Sequence, residues 1–162
     1  MRKKNFCKKT IFILGVIFII INLFWFANYL SYNKYTRAAN QKSDLRVGTY
    51  YKSEDDGISY TIKKPDYLNT RGNLGSVNED NSIAIILWPS LFCDEIERYG
   101  ITLYDASIER GYMIYVDRNM DFLQLNYERF SSEDAEAAKR MLVEMKDQVC
   151  MQFEIMKDEF DL

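Results

Sequence analysis

Ile11–Leu30 reads IFILGVIFIIINLFWFANYL, twenty consecutive residues without a charge. At ~1.5 Å of rise per residue, a helix of that length matches the ~30 Å hydrocarbon core of a bilayer. A segment surrounded by lipid must satisfy its own backbone, and one uninterrupted helix does so. The run therefore reads as a membrane-spanning helix, with the lipid bilayer as its partner. The chain beyond Leu30 is then a small domain held at a membrane surface. Two rival readings are a cleaved secretory signal and the buried helix of a soluble fold. A signal's apolar stretch is usually ~7–15 residues and closes on small residues. This run closes on Phe24, Trp25 and Phe26, with no A-x-A pattern after it, and Cys7 precedes it, so there is no lipoprotein box.

The flanks support an uncleaved anchor. Trp25, Tyr29, Tyr32 and Tyr35 gather at one end, where amphipathic rings favour the headgroup zone. Asn22 and Asn28 are the polar interruptions. Asn22 either bonds to a neighbouring helix or is simply tolerated. Arg2, Lys3, Lys4, Lys8 and Lys9 crowd the N-terminal side, while Lys34, Arg37, Lys42 and Arg46 are spread along the other. By the positive-inside bias, residues 1–10 are a cytoplasmic tail. Residues 11–30 are the transmembrane helix, 31–44 a linker, and 45–162 an extracytoplasmic α+β domain.

All 24 acidic residues lie beyond Leu30, against 16 of the 21 basic ones, a net charge of −8 for that part. Such a domain repels polyanions, which excludes nucleic acid as a partner class. The chain has no histidine. The commonest general base and commonest metal ligand are therefore missing, and with them Ser-His-Asp and Cys-His catalysis as usually built. No cofactor is implied. Cys93 and Cys150 share the outer side and either pair as a disulfide or stay buried as free thiols.

Along the outer domain, Leu45–Lys52 reads as a strand. A loop over Ser53–Gly57 comes next, in which Gly57 supplies φ > 0. Ile58–Ile62 alternates as a half-buried strand. Leu74–Val77 is a short strand candidate inside a loop. Ser82–Trp88, SIAIILW, is a continuous apolar run closed by Pro89, which reads as a central strand buried on both faces. Gly100–Tyr104, Tyr112–Val116 and Phe122–Tyr127 complete the strands. Tyrosines such as Tyr60 and Tyr115 fall on strands and read as core.

Ser131 to about Lys157 reads as one long helix capped by Ser131, with Asp134 in a capping-box position. Its apolar stripe is Ala135, Ala138, Leu142, Met145, Val149, Phe153, Met156 and Phe160, with Glu136, Lys139, Arg140, Lys146 and Asp147 opposite. The stripe packs on a sheet or, at near-heptad spacing, docks a partner helix. The expected fold is thus α+β: an N-terminal transmembrane helix, then an antiparallel sheet of five or six strands with one long C-terminal helix across it.

Gly72-Asn73-Leu74, the Ile83–Pro89 run, Tyr99-Gly100-Ile101, the Tyr112–Asp121 hairpin and the closing acidic helix resemble uncharacterised, N-terminally membrane-anchored small proteins of low-GC Gram-positive bacteria. No catalytic motif defines that group. The resemblance implies a location at the cell membrane and no activity.

Three constellations carry candidate chemistry. Asp117, Asn119, Asp121 and Glu128 fall at positions one, three, five and twelve of a calcium-loop spacing, but Phe122 stands where the sharp turn needs glycine. The alternative is an ordinary hairpin turn. Ser53-Glu54-Asp55-Asp56 and Cys93-Asp94-Glu95 are acidic clusters that are either solvated loops or carboxylate pairs across a cleft. Two function classes are open: a non-enzymatic module that binds an envelope protein or wall component, and an anchored hydrolase using carboxylates. A flat sheet face bearing aromatics favours the first. A cleft holding two acidic groups favours the second.

Overall fold

The computed structural model describes residues 2–37, 39, 41–43, 48–53, 57–67, 70–93, 95–125 and 131–162. Helix α1 (Arg2–Ser31) is continuous over 30 residues, and a single turn, α2 (Asn33–Thr36), succeeds it. Strands β1 (Gln41–Lys42), β2 (Thr49–Ser53), β3 (Ile58–Lys63), β4 (Asn73–Asn78) and β5 (Ile83–Pro89) come next. After a 3-10 turn, Leu91–Cys93, come β6 (Ile96–Asp105), β7 (Arg110–Val116), β8 (Phe122–Leu125), α3 (Ser132–Glu144) and α4 (Lys146–Phe160).

α1 is long and apolar enough to cross a membrane. From Ile11 to Leu23 its large apolar side chains are 39–73% exposed, so no protein covers them.

The strands form one antiparallel sheet in sequence order, β1 to β8, each paired with the next. This is α+β as expected, with eight strands instead of five or six. The additional pairing comes from β1, inside the stretch read as linker, and from β4, which runs the full Asn73–Asn78 despite its Gly and Asn content. Pairing on both sides, with β3 and with β5, overrides weak local propensity there. Gly57 closes the β2–β3 hairpin at φ +79°, while residues 54–56 of that acidic cluster lie outside the described residues.

Period-2 alternation sets the two faces. Ile58, Tyr60, Ile62, Leu74, Ile83, Ile85, Leu87, Ile101, Leu103, Tyr112, Ile114 and Val116 are buried on one side. Helices α3 and α4 lie over that side: α3 contacts β6, β7 and β8, and α4 contacts β4 and β5. Expected as buried on both faces, β5 is buried only at Ile83, Ile85, Leu87 and Pro89; Ala84, Ile86 and Trp88 are half-exposed. An antiparallel sheet tolerates one uncovered face, whereas double coverage is the habit of parallel sheets with crossover helices.

The predicted stripe packs on the sheet, with Ala138, Leu142, Val149, Phe153, Met156 and Phe160 buried. The cap is present: Asp134 N–H donates to Ser131 Oγ (3.2 Å) and Ser131 N–H donates to Asp134 Oδ2 (2.9 Å). The expected single helix is two, because Met145 leaves helical geometry at φ −99°, ψ 7°. The break lets the chain shift from the β6–β8 side of the sheet to β4 and β5. Inside the core, Gln152 Nε2 donates to Ser76 Oγ at 3.0 Å, which satisfies two otherwise costly buried polar groups.

Tyr32 and Tyr35, in the stretch read as linker, are 1% and 4% exposed and belong to the core. Tyr35 meets Phe160 edge-on at 5.8 Å, and Phe160 meets Tyr60 the same way. Tyr32 fills the space a side chain at Gly72 would need, since a Cβ there would come within 2.6 Å of its ring. Residues 44–47, the start of the first expected strand, lie outside the described residues.

Candidate binding surface

The uncovered face of the sheet is built from the alternate phase of the same strands. Trp88 pairs with Arg98, Ile86 with Gly100, Gly100 with Tyr115, and Tyr115 with Gln124. Paired residues share a face, so Ile86, Gly100, Tyr115 and Gln124 form one row across β5 to β8, with Trp88 and Arg98 as the neighbouring pair on the same face. The Trp88 ring covers Gly100, where an added Cβ would come within 2.8 Å of the indole. Trp88 and Tyr115 have ring centroids 6.0 Å apart, and the Arg98 guanidinium sits 5.3 Å from the centre of the Tyr115 ring. A cleft of 570 Å³ continues the row between β6, β7 and β8, lined by Arg98, Tyr115, Arg118, Leu123 and Gln124 among others. Chemically this is a surface of two tilted aromatic rings edged by Arg98 and Arg118 and by the carboxylates of Glu97 and Asp117, suited to stacking against a planar group. Among the described residues it offers no paired nucleophile and base.

Tyr115, expected in the core, lies on this opposite face instead, because its phase is that of Gly100, not Ile114. Tyr60 is in the core as expected. The signal for the platform is present in the sequence. Trp88 shares its phase with Ala84 and Ile86, and glycine interrupts β6 at the position that lies under a large ring.

The calcium-spaced residues make a turn. Asp117 Oδ1 accepts from the N–H groups of Asn119 (2.8 Å) and Asp121 (2.9 Å), and Met120 N–H donates to Asp117 O (3.0 Å). These bonds, the one from Asp121 foremost, hold the Asp117 carboxyl below its ordinary value. Met120 takes a left-handed φ of 61° and buries its side chain. Phe122 then starts β8, which supplies the physical reason the loop closes early: pairing with Val116 replaces the glycine bend. The Lys146 ammonium bonds to Asp121 Oδ1 and to Asn119 O, both at 2.8 Å, so a cation already sits on these oxygens. Glu128 lies outside the described residues. No group of three or more His, Cys, Asp or Glu side chains that could hold a metal occurs among the described residues.

Two acidic groups do share a cleft. Glu79 and Asp80 line an open cleft of 670 Å³ with Gln148, Met151 and Gln152. Asp80 accepts the Ser82 N–H at 2.9 Å, and its carboxyl is lowered, first by its bonds to Ser82. A glycosidase pairs a raised acid with an ionised carboxylate, so of the two roles the lowered Asp80 carboxyl fits only the second. Cys150 is half-buried on α4 and bonds to no other cysteine among the described residues. The Cys93 side chain and Asp94 lie outside the described residues, so the Cys93–Cys150 pairing stays an expectation.

Comparison with protein-family models, with curated proteins and with solved structures finds no match.

Proposed function

We propose that this chain is a single-pass, membrane-anchored binding module of the cell envelope. α1 spans the bilayer with the N-terminus in the cytoplasm. The sheet domain stands outside and presents its Trp88–Arg98–Tyr115 face to a partner protein or wall component, without chemistry. The observation that carries the reading is that α3 and α4 cover only one face of the sheet. The other keeps two large aromatics and a guanidinium in contact with each other and with solvent. Trp, Tyr and Arg are the residues in which binding energy concentrates. The anchor rests on the uncovered apolar length of α1. An anchored hydrolase is the weaker reading, because Asp80 is held by the Ser82 N–H in its own turn at the rim of an open cleft.

The test is capture of envelope material on intact cells by the full chain, alongside the Trp88→Ala and Tyr115→Ala variants. Both variants should fold and lose capture. Undiminished capture by both would remove this face from consideration. Protease added to intact cells should remove the part beyond Leu30 and leave α1 behind.

A further inference from the structure

Two loops close around the outer end of α1. Trp25 stacks on Tyr67 with ring centroids 4.3 Å apart and planes 13° off parallel, and Tyr29 lies on the near side of Trp25 at 5.5 Å. Phe24 meets Phe92 edge-on at 5.3 Å. Asn28, 2% exposed, serves both loops with one amide: its Nδ2 donates to Thr70 O (2.8 Å) and its Oδ1 accepts from Phe92 N–H (3.1 Å). Tyr67 Oη donates to Asn22 Oδ1 at 3.1 Å. The two polar interruptions of the apolar run are therefore occupied by the chain's own domain.

This grip sets a depth. Asn22 lies eight residues before Leu30, about 12 Å down the helix axis at ~1.5 Å per residue. A loop that reaches Asn22 cannot stand off from a bilayer in which Ile11–Leu30 is embedded. The loops nevertheless leave apolar side chains facing outward beside the lipid-exposed flank of α1: Tyr67 is 70%, Leu91 37% and Phe92 43% exposed. Phe92 holds a left-handed φ of 72° to do so, a conformation that costs free energy for a residue with a Cβ and marks an imposed placement. Two ion pairs lie on the same loops or beside them, Arg71 with Glu97 at 2.8 Å and Lys63 with Asp66 at 3.9 Å. An aromatic and aliphatic rim remains, continuous with the apolar surface of α1.

We propose that Tyr67, Leu91 and Phe92 form a collar that inserts into the phospholipid interface around α1 and seats the sheet domain directly on the bilayer. Aromatic and aliphatic side chains are suited to that zone, and Tyr67 keeps its hydroxyl bonded to Asn22. This rests on the membrane reading of α1 and adds a second, loop-borne lipid contact to it.

The test uses the full chain in phosphatidylcholine vesicles, with its cysteines replaced by serine and a nitroxide placed at one site at a time: Leu91, Tyr67, Phe18 or Ile108. Ile108 is exposed in the β6–β7 turn, at the end of the sheet away from α1. The ratio of oxygen to nickel-chelate accessibility should be several-fold higher at 91 and 67 than at 108, and highest at 18. Water-like ratios at both 91 and 67, with a lipid-like ratio at 18, overturn the collar and leave the anchor standing. A water-like ratio at 18 overturns the membrane reading itself. Because a label at 67 disturbs the Trp25 stack, site 91 decides if the two disagree.

Discussion

Lys146 Nζ lies 2.8 Å from Asp121 Oδ1, joining the first turn of α4 to the turn between β7 and β8. The same ammonium bonds to Asn119 O. A residue 25 positions away in sequence thus occupies one of the carboxylates that the calcium-like spacing offered, while Asp117 is taken up by the N–H groups of its own turn.

Calcium titration checks the hairpin turn. Millimolar calcium should leave the melting temperature of the wild-type protein unchanged. Lys146→Ala should cost under ~1 kcal/mol, the usual value of a solvent-exposed ion pair. A calcium-dependent rise in melting temperature would falsify the assignment.

Leu142 is 3% exposed and Val143 beside it is 76% exposed. Leu142→Ala should destabilise by ~2–5 kcal/mol, the range for a buried leucine, out of a total near ~5–15 kcal/mol. Val143→Ala and Glu136→Ala should be nearly silent. Urea unfolding measures all three. Equal effects at 142 and 143 would mean the stripe docks elsewhere.

The buried Tyr32 and Tyr35 move the start of the folding unit upstream. A fragment beginning at Asn28 should be more stable than one beginning at Ser43, which lacks both rings. Tyr32→Ala in the longer fragment should cost ~3–5 kcal/mol, as other large buried aromatics do. Identical unfolding curves for the two fragments would show that these tyrosines add nothing to the core.

Asp134 closes the capping box and pairs with Arg110 at 2.8 Å. Its carboxyl is lowered, chiefly by the Ser131 N–H and then by the Ser131 hydroxyl and the charge of Arg110. A depressed carboxylate stabilises the fold above its unfolded pKa of about 3.9, and that contribution is lost as the pH falls through the folded value. Asp134→Asn should therefore lower the melting temperature at neutral pH. The gap to wild type should hold down to about pH 4 and close below it. Ser131→Ala should cost about 1 kcal/mol, as helix caps commonly do. A gap for Asp134→Asn that persists in strong acid would exclude the ionised carboxylate as its source.

The sequence by itself determined the elements whose signal is local. Twenty uncharged residues specify α1, because length and apolarity are properties of one segment. The alternation in Ile58–Ile62 specifies a strand and its buried phase, while Ile83–Leu87 and Tyr112–Val116 are legible as strands but not as to which phase is buried. Ser131 with Asp134 specifies the helix start, and the stripe from Ala138 to Phe160 its buried side. Tertiary structure alone decided what lies across from each surface. A phase of period two says that one face is covered, not that Trp88, Arg98 and Tyr115 meet on the face that is not. Asn28 reads as a flaw in an apolar run until Thr70 and Phe92 arrive at its amide. Tyr32 reads as a linker residue until Gly72, 40 positions later, leaves the room for its ring. Each of these depends on contacts between residues far apart in the chain, where composition and periodicity carry no information. Strand pairing and side-chain packing make that choice by minimising buried polar loss and empty volume.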